Sequence, residues 1–199
     1  MCPLPLRPTV NEPSLRSLET AHFLDELEAR IVQRLHVEAT SDSSRTELLR
    51  STGITDEKLL DDLSRMGITA DELIALRFLP LIMVAWAEDH ADLDERDVVK
   101  AQAKELGIRE DSTAWLMLDT WLRKRPPGVG VDAWRRYTHE IFSKISPVAS
   151  QRLIALTEKQ MTAVAKASGG HLGFGKVSQK ERVMIDRLVE TMRSSMPSK

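Results

Sequence analysis

Residues 78–99 read FLPLIMVAWAEDHADLDERDVV, and the two halves of this segment have opposite character. Every residue from Phe78 to Ala87 is apolar, whereas the ten residues from Glu88 to Asp97 contain six carboxylates. An apolar run of ten residues is too short to cross a bilayer, but it can form a buried helix. We therefore expect a central buried helix over residues 71–87, followed by an acidic loop. Leu81, Met83, Val84 and Trp86 are predicted to be among the most buried residues.

Most of the remaining chain repeats apolar residues at the helical period. The clearest amphipathic segments are residues 18–35, 112–125, 131–145, 148–167 and 178–192. No segment combines sustained apolar–polar alternation with β-branched enrichment, so we expect no sheet. The pattern predicts an all-α fold, a compact multi-helix domain of seven to nine helices around the 71–87 helix.

Proline, glycine and capping residues divide this helical pattern into regions. Residues 1–15 are rich in proline and are predicted to be flexible, residues 16–69 to form a helical extension packed on the core, and residues 70–193 to form the main domain. Gly53 and Gly67 lie where helices end. Thr69 and Glu72 have the spacing of a capping box. Pro80 removes an amide donor inside the predicted central helix and should kink or split it.

Composition and charge are those of an ordinary globular protein. The 199 residues are 42% apolar and 29% charged, and the single cysteine, Cys2, excludes a disulfide within the chain. We read no signal peptide and expect a cytoplasmic protein. The net charge of −2 hides an asymmetry, since residues 1–99 hold 20 acidic and 10 basic side chains and residues 100–199 hold 10 and 18. Either the two halves pack against each other or they form separate patches for cations and anions.

The acidic segment 88–97 has three interpretations: a divalent-cation site, a binding surface, or a structural link between two helices. Its candidate metal ligands are the carboxylates Glu88, Asp89, Asp92 and Asp94. The spacing and the glycine of an EF-hand are absent, so we expect weak cation binding at most. Asp94 is predicted to cap the next helix with Asp97 three residues later, as Ser178 and Glu181 do near the end of the chain.

A basic segment forms the second candidate surface. It comprises Arg123, Lys124, Arg125, Arg135 and Arg136. Cations are favoured in the last turn of a helix, which explains part of this charge. The alternative is a surface for anionic lipid, giving peripheral membrane contact, or for the acidic side chains of a protein partner.

Other function classes find little support in the sequence. The segment GGHLGFGKVS (169–178) resembles a phosphate-binding loop, but it has Val177 where a serine or threonine is needed and follows a predicted helix. Residues 46–67 have the rhythm of a helix-turn-helix, yet the second helix is acidic and phosphates would repel it. No histidine, serine or cysteine lies in a catalytic or zinc motif. We therefore expect no enzyme, no cofactor and no nucleic-acid partner.

The segment LPLIMVAWAEDHADLDERDVVKAQAKELGI (79–108) resembles the repeat unit of TerB-like proteins, the family of tellurite-resistance proteins and of one co-chaperone region. GGHLGFGKVSQKERVMIDRLVETM (169–192) resembles a second unit, so that the resemblance covers residues 70–192. It implies an all-helical domain without enzymatic chemistry, acting in stress-response or membrane-linked assemblies. It also implies that Glu88, Asp89, Asp92 and Asp94 bind a divalent metal. The family places Asp-Gly in the turn, whereas this chain has Glu88-Asp89-His90-Ala91.

Two functions remain open from the sequence. The first is a non-catalytic interaction module that binds a protein partner, in a stress response of the tellurite-resistance kind. The alternative is a divalent-cation-binding protein that uses the acidic loop 88–97. The sequence leaves the oligomeric state open.

Overall fold

The computed structural model describes residues 41–167 and 177–197, together with positions 29–31, 33, 34 and 37. All regular structure in these residues is helical, which confirms the predicted all-α fold. The helices between residues 41 and 197 are α1 (Asp42–Thr52), α2 (Glu57–Arg65), α3 (Leu73–Leu76), α4 (Leu79–Ala85), α5 (Leu93–Glu105), α6 (Thr113–Arg123), α7 (Gly128–Lys144), α8 (Pro147–Ala167) and α9 (Gln179–Ser194). Among the described residues, no helix is both long and apolar enough to span a membrane.

Helix α4 lies at the centre of the fold. It contacts five helices, α5, α6, α7, α8 and α9. Its buried residues are Leu79, Pro80, Leu81, Ile82, Val84 and Ala85. The sequence also placed Met83 and Trp86 among the most buried residues, but both are only half-buried at the edge of the core.

The predicted 71–87 helix is two helices rather than one. α3 ends at Leu76, and α4 begins at Leu79 with Pro80 in its first turn. An amide in the first turn of a helix has no acceptor within the helix, so proline costs no hydrogen bond there. The break that Pro80 predicted is therefore confirmed.

The predicted capping box at Thr69 forms only in part. The Thr69 backbone N–H donates to the Glu72 carboxylate at 3.0 Å, but α3 begins at Leu73, directly after Glu72. The Thr69 and Thr113 hydroxyls both donate to Glu72, which is 1% exposed. Glu72 thus joins the start of α3 to the start of α6, a tertiary contact that local spacing does not predict.

Helices α1 and α2 pack on the same core as the rest of the chain. Leu48, Leu59 and Leu63 belong to one buried cluster with residues of α4 to α9, and α2 packs against α7. Within that contact, the buried Asp62 lies 3.5 Å from Arg136 Nε. The division of the chain at residues 69 and 70 stays a prediction. The predicted flexible segment 1–15 lies outside the described residues.

The centrality of α4 predicts a large cost for truncating one of its side chains. Leu81 is 1% exposed, so Leu81→Ala should lower the free energy of unfolding by about 2–5 kcal/mol. Leu93→Ala is the matched control, because Leu93 is 74% exposed and should change stability by less than about 0.5 kcal/mol. Urea denaturation measures both variants. Equal midpoints for the two would contradict the placement of α4.

Candidate functional site

The loop after α4 makes a sharp turn at Asp89. This residue has a φ of +70°, the left-handed conformation that glycine adopts most easily. Aspartate tolerates it better than most residues, because its short polar side chain can hydrogen-bond locally. The Asp89 N–H donates to the Trp86 carbonyl at 3.1 Å, and Trp86 is held by a bond from its indole Nε1 to the Trp121 carbonyl at 2.9 Å. Asp89 thus forms a turn for which the sequence offered no glycine.

The N-terminus of α5 is capped by Asp92, which corrects the sequence prediction. Asp94 was expected as the cap with Asp97 as its partner, but Asp92 and Glu95 form the capping box. The Asp92 backbone N–H donates to Glu95 Oε2 at 2.9 Å. Asp94 and Asp97 are exposed on the first turns of α5, where negative charge is favourable without a direct bond to an amide.

The N-terminus of α9 repeats the same arrangement. The predicted cap at Ser178 is confirmed: its backbone N–H donates to Glu181 Oε2 at 2.6 Å, and its side chain accepts from the Glu181 N–H at 3.3 Å. The repeated motif in the sequence is therefore Asp92–Glu95 and Ser178–Glu181, two residues earlier in the first unit than the sequence comparison placed it.

The two capping-box glutamates meet inside the protein. Glu95 is 3% exposed and Glu181 is 2% exposed, and their carboxyl groups hydrogen-bond to each other. A hydrogen bond between two carboxyl groups requires a proton on one of them. Burial raises the pKa of Glu95 to about 7; the Asp92 amide opposes this shift, whereas the nearby charges of Glu181 and Asp92 and the Glu181 hydrogen bond add to it. The starts of α5 and α9 are therefore joined through a carboxyl pair that holds a proton.

This pair predicts a loss of stability as the pH rises. The pKa of Glu95 is about 7 in the folded protein, against 4.5 for an ordinary glutamate. Between these values the folded state keeps a proton that the unfolded state has lost, so the free energy of unfolding falls with rising pH. The loss attributable to Glu95 should approach about 3 kcal/mol by about pH 8. Urea denaturation at a series of pH values measures it.

Glu95→Gln should flatten this dependence. Glutamine is neutral throughout, and its amide can accept from the Asp92 N–H and donate to Glu181. Glu105→Gln is the control, because Glu105 is exposed at the other end of α5 and its replacement should keep the wild-type slope. Parallel curves for Glu95→Gln and the wild type would show that the buried pair does not set the dependence.

The structure distributes the four predicted metal ligands rather than gathering them. Asp89 forms ion pairs with Arg125 at 3.2 Å and Lys180 at 3.8 Å. Asp92 caps α5 and lies 3.2 Å from His90 Nε2, and Glu88 and Asp94 are exposed. Within residues 41–167 and 177–197, no three acidic, histidine or cysteine side chains are placed to hold one metal ion. The role of these residues in cation binding stays a prediction.

Weak cation binding is the outcome we expect from this loop. Calcium or magnesium would have to displace the ion pairs of Asp89, so we expect dissociation constants of ~0.1–1 mM. Binding should fade with added salt, because exposed charges are screened over about 8 Å at physiological ionic strength. Isothermal titration with calcium, magnesium, manganese and zinc measures the affinity. Micromolar binding that survives at physiological salt and is lost in Asp89→Asn or Asp92→Asn would make the loop a metal site.

Most cations of the basic segment pair with carboxylates, and the role of this segment as an anion or partner surface stays a prediction. Arg123 and Lys100 both pair with Asp119; burial raises the pKa of Asp119, but hydrogen bonds from these two cations outweigh it and lower the pKa. Arg125 pairs with Asp89, and Arg135 with Asp132 at 3.3 Å. Arg136 lies beside the buried Asp62. Lys124 is exposed and has no ion-pair partner among the described residues.

Exposed apolar side chains lie beside the acidic loop. Leu93 is 74% exposed at the first position of α5, and Val183 is 59% exposed near the start of α9. Val183 lines an open depression of about 400 Å³ together with Ala87, Gln179, Lys180, Met184 and Arg187. The charged residues that line this depression, Lys180 and Arg187, are basic, and Lys180 pairs with Asp89 of the acidic loop. We refer to Ala87, Glu88, Leu93 and Asp94 of the loop and the start of α5, together with Val183 of the depression, as the apolar–acidic surface.

Several residues of this region are not predicted from the sequence. Glu95 is one of six carboxylates in the acidic segment, and its position three residues after Asp92 is the capping-box signal that distinguishes it. Lys180 and Val183 carried no signal, because their role depends on the contact between α9 and the loop after α4.

Comparison with known proteins identifies no relative. No family model, curated protein or solved structure matches this chain. The TerB-like resemblance therefore stays a prediction.

Proposed function

We propose that this protein is a non-catalytic helical interaction module that binds a protein partner through the apolar–acidic surface. The observation that carries the proposal is the exposure of two large apolar side chains, Leu93 between acidic residues and Val183 in a depression that Lys180 links to Asp89. Isolated exposed apolar residues are common, but apolar side chains around a depression with a charged rim are typical of interaction sites.

The charges of this surface indicate the chemistry of the partner. The carboxylates of Glu88 and Asp94 are exposed and form no ion pair with the residues that the structure describes, unlike the carboxylate of Asp89. Two such carboxylates next to Leu93 favour a partner that offers basic and apolar side chains together. The acidic groups would speed association and select orientation, and the apolar contacts would supply most of the affinity.

The TerB-like resemblance favours a stress-response assembly as the setting of this interaction. A cytoplasmic location and a role like that of tellurite-resistance proteins stay predictions. The alternative function, in which cation binding is the functional event, is decided by the titration described above. Its ligands would come from the same loop, so the two functions differ in whether the loop binds an ion tightly in the absence of a partner.

The proposal predicts that partner capture depends on Leu93 and Val183. The Leu93→Ser/Val183→Ser variant, immobilised as the full chain, should retain at least about tenfold less of its specific partner than the wild type, because interface apolar anchors contribute more than about 1 kcal/mol each. Quantitative mass spectrometry of the captured proteins at low and physiological salt measures this.

A matched control separates this surface from exposed apolar residues in general. Leu156 is 42% exposed on α8, and Leu156→Ser should capture the same proteins as the wild type. Capture should also weaken with salt in the wild type, since Glu88 and Asp94 act through exposed charge. Equal capture by the double variant and the wild type would remove the apolar–acidic surface as the binding site.

A further inference from the structure

A second concave feature lies at the other end of α4 and α9, away from the apolar–acidic surface. It is a cavity of about 150 Å³ between the start of α4, α7, α8 and the end of α9. Its inner wall includes the buried side chains of Trp134, Phe142 and Met192. Arg77 and Tyr137 are half-buried and form part of its opening. The cavity is thus lined mainly by apolar side chains, and Arg77 and Tyr137 are its partly exposed polar residues.

The polar groups of this cavity differ in what they can offer to a ligand. The Thr138 hydroxyl donates to the Trp134 carbonyl at 2.8 Å, and the Thr157 hydroxyl donates to the Leu153 carbonyl at 2.9 Å. The protons of both threonines are therefore used within their own helices. The side chains of Arg77 and Tyr137 form no hydrogen bond or ion pair with any described residue, so no described residue uses their donors.

The charge of Arg77 and the protonation of Tyr137 determine which ligand the cavity can bind. Among the described residues that line the cavity, Arg77 is the only one with a formal charge. Arg77 and Tyr137 line the same cavity. Burial raises the pKa of Tyr137, and the positive charge of Arg77 acts in the opposite direction, so that Tyr137 keeps its proton at neutral pH. A guanidinium and a phenol that line one cavity can donate to the two oxygens of one carboxylate.

We propose that this cavity binds a small aromatic monocarboxylate, with its ring against Trp134 and Phe142 and its carboxylate on Arg77 and Tyr137. The size fits, because an apolar cavity of about 150 Å³ admits a benzene ring. Aromatic walls favour an aromatic ring by offset and edge-to-face contacts. A single guanidinium balances one negative charge, so a monoanion fits better than a phosphate dianion.

The test uses the full chain and four probes: benzoate, phenylacetate, benzyl alcohol and phenyl phosphate. Benzoate or phenylacetate should bind with a dissociation constant of about 0.1–1 mM, as expected for a ligand of about ten heavy atoms. Benzyl alcohol and phenyl phosphate should bind at least about tenfold more weakly. Isothermal titration and ligand-observed magnetic resonance measure the affinities, and the fluorescence of Trp134 should respond to the aromatic carboxylates.

Two variants and one control assign the binding to this cavity. Arg77→Met keeps an unbranched stem and should weaken benzoate at least about tenfold while leaving benzyl alcohol unchanged. Leu153→Trp adds volume at the cavity wall and should weaken both probes, with circular dichroism confirming that the variant is folded. Arg109→Met is the control, because Arg109 is paired with Asp111 and does not line the cavity.

Three results would overturn the proposal. The first is no detectable binding of either carboxylate at about 10 mM. The second is equal affinity for benzoate and benzyl alcohol, which would show that Arg77 selects no charge. The third is tighter binding of phenyl phosphate, which would replace the monocarboxylate by a dianion. Loss of benzoate binding in Arg77→Met, together with retention of benzoate binding in Arg109→Met, would support the proposal.

Discussion

The fold depends on the burial of one short apolar helix. α4 has seven residues and is therefore only about 10 Å long, too short to be stable in water by itself. Six of its residues are buried, so stability requires neighbours on nearly every face, and the five helices around it supply them. Pro80 fits this position, because it ends the preceding helix without removing a hydrogen bond from α4. The arrangement of α5 to α9 follows from the need to cover this helix.

The same burial brings two helix N-termini together. α5 and α9 each begin with a capping box, and α8 and α4 hold them so that Glu95 and Glu181 share a hydrogen bond away from water. Each glutamate satisfies a backbone amide. For Glu95, burial and the nearby Glu181 favour the neutral form, whereas the hydrogen bond from the Asp92 amide favours the charged form. A proton shared by the two carboxyl groups allows both of them to stay buried. The capping boxes that start α5 and α9 thus also link the two helices, and the stability of this link depends on pH.

The charge asymmetry of the chain is resolved in part by packing. Asp89 from the acidic half pairs with Arg125 and Lys180 from the basic half, and Asp62 lies beside Arg136. Three of these charges, Asp89, Arg125 and Arg136, are candidate site residues of the sequence. Among the acidic candidates, Glu88 and Asp94 stay exposed beside Leu93 without an ion pair to a described residue. Val183 lies near the start of α9, whose Lys180 pairs with Asp89. The cavity beside Arg77 lies at the opposite end of the same two helices, so one core supports two separate surfaces.

The sequence by itself determined the helical class, the central apolar helix, the break at Pro80 and the cap at Ser178, because these follow from local periodicity and backbone hydrogen bonding. The prediction that Asp94 caps α5 was wrong. Asp92, Asp94 and Glu95 lie within four residues of one another, so the sequence offers more than one plausible capping pair. The structure chose between these local pairs, and only the tertiary packing decided that Glu95 meets Glu181 and that Arg77 and Tyr137 line one cavity. The last two pairs join residues at least 60 positions apart along the chain, and no local pattern specifies which distant side chains the burial of α4 brings together.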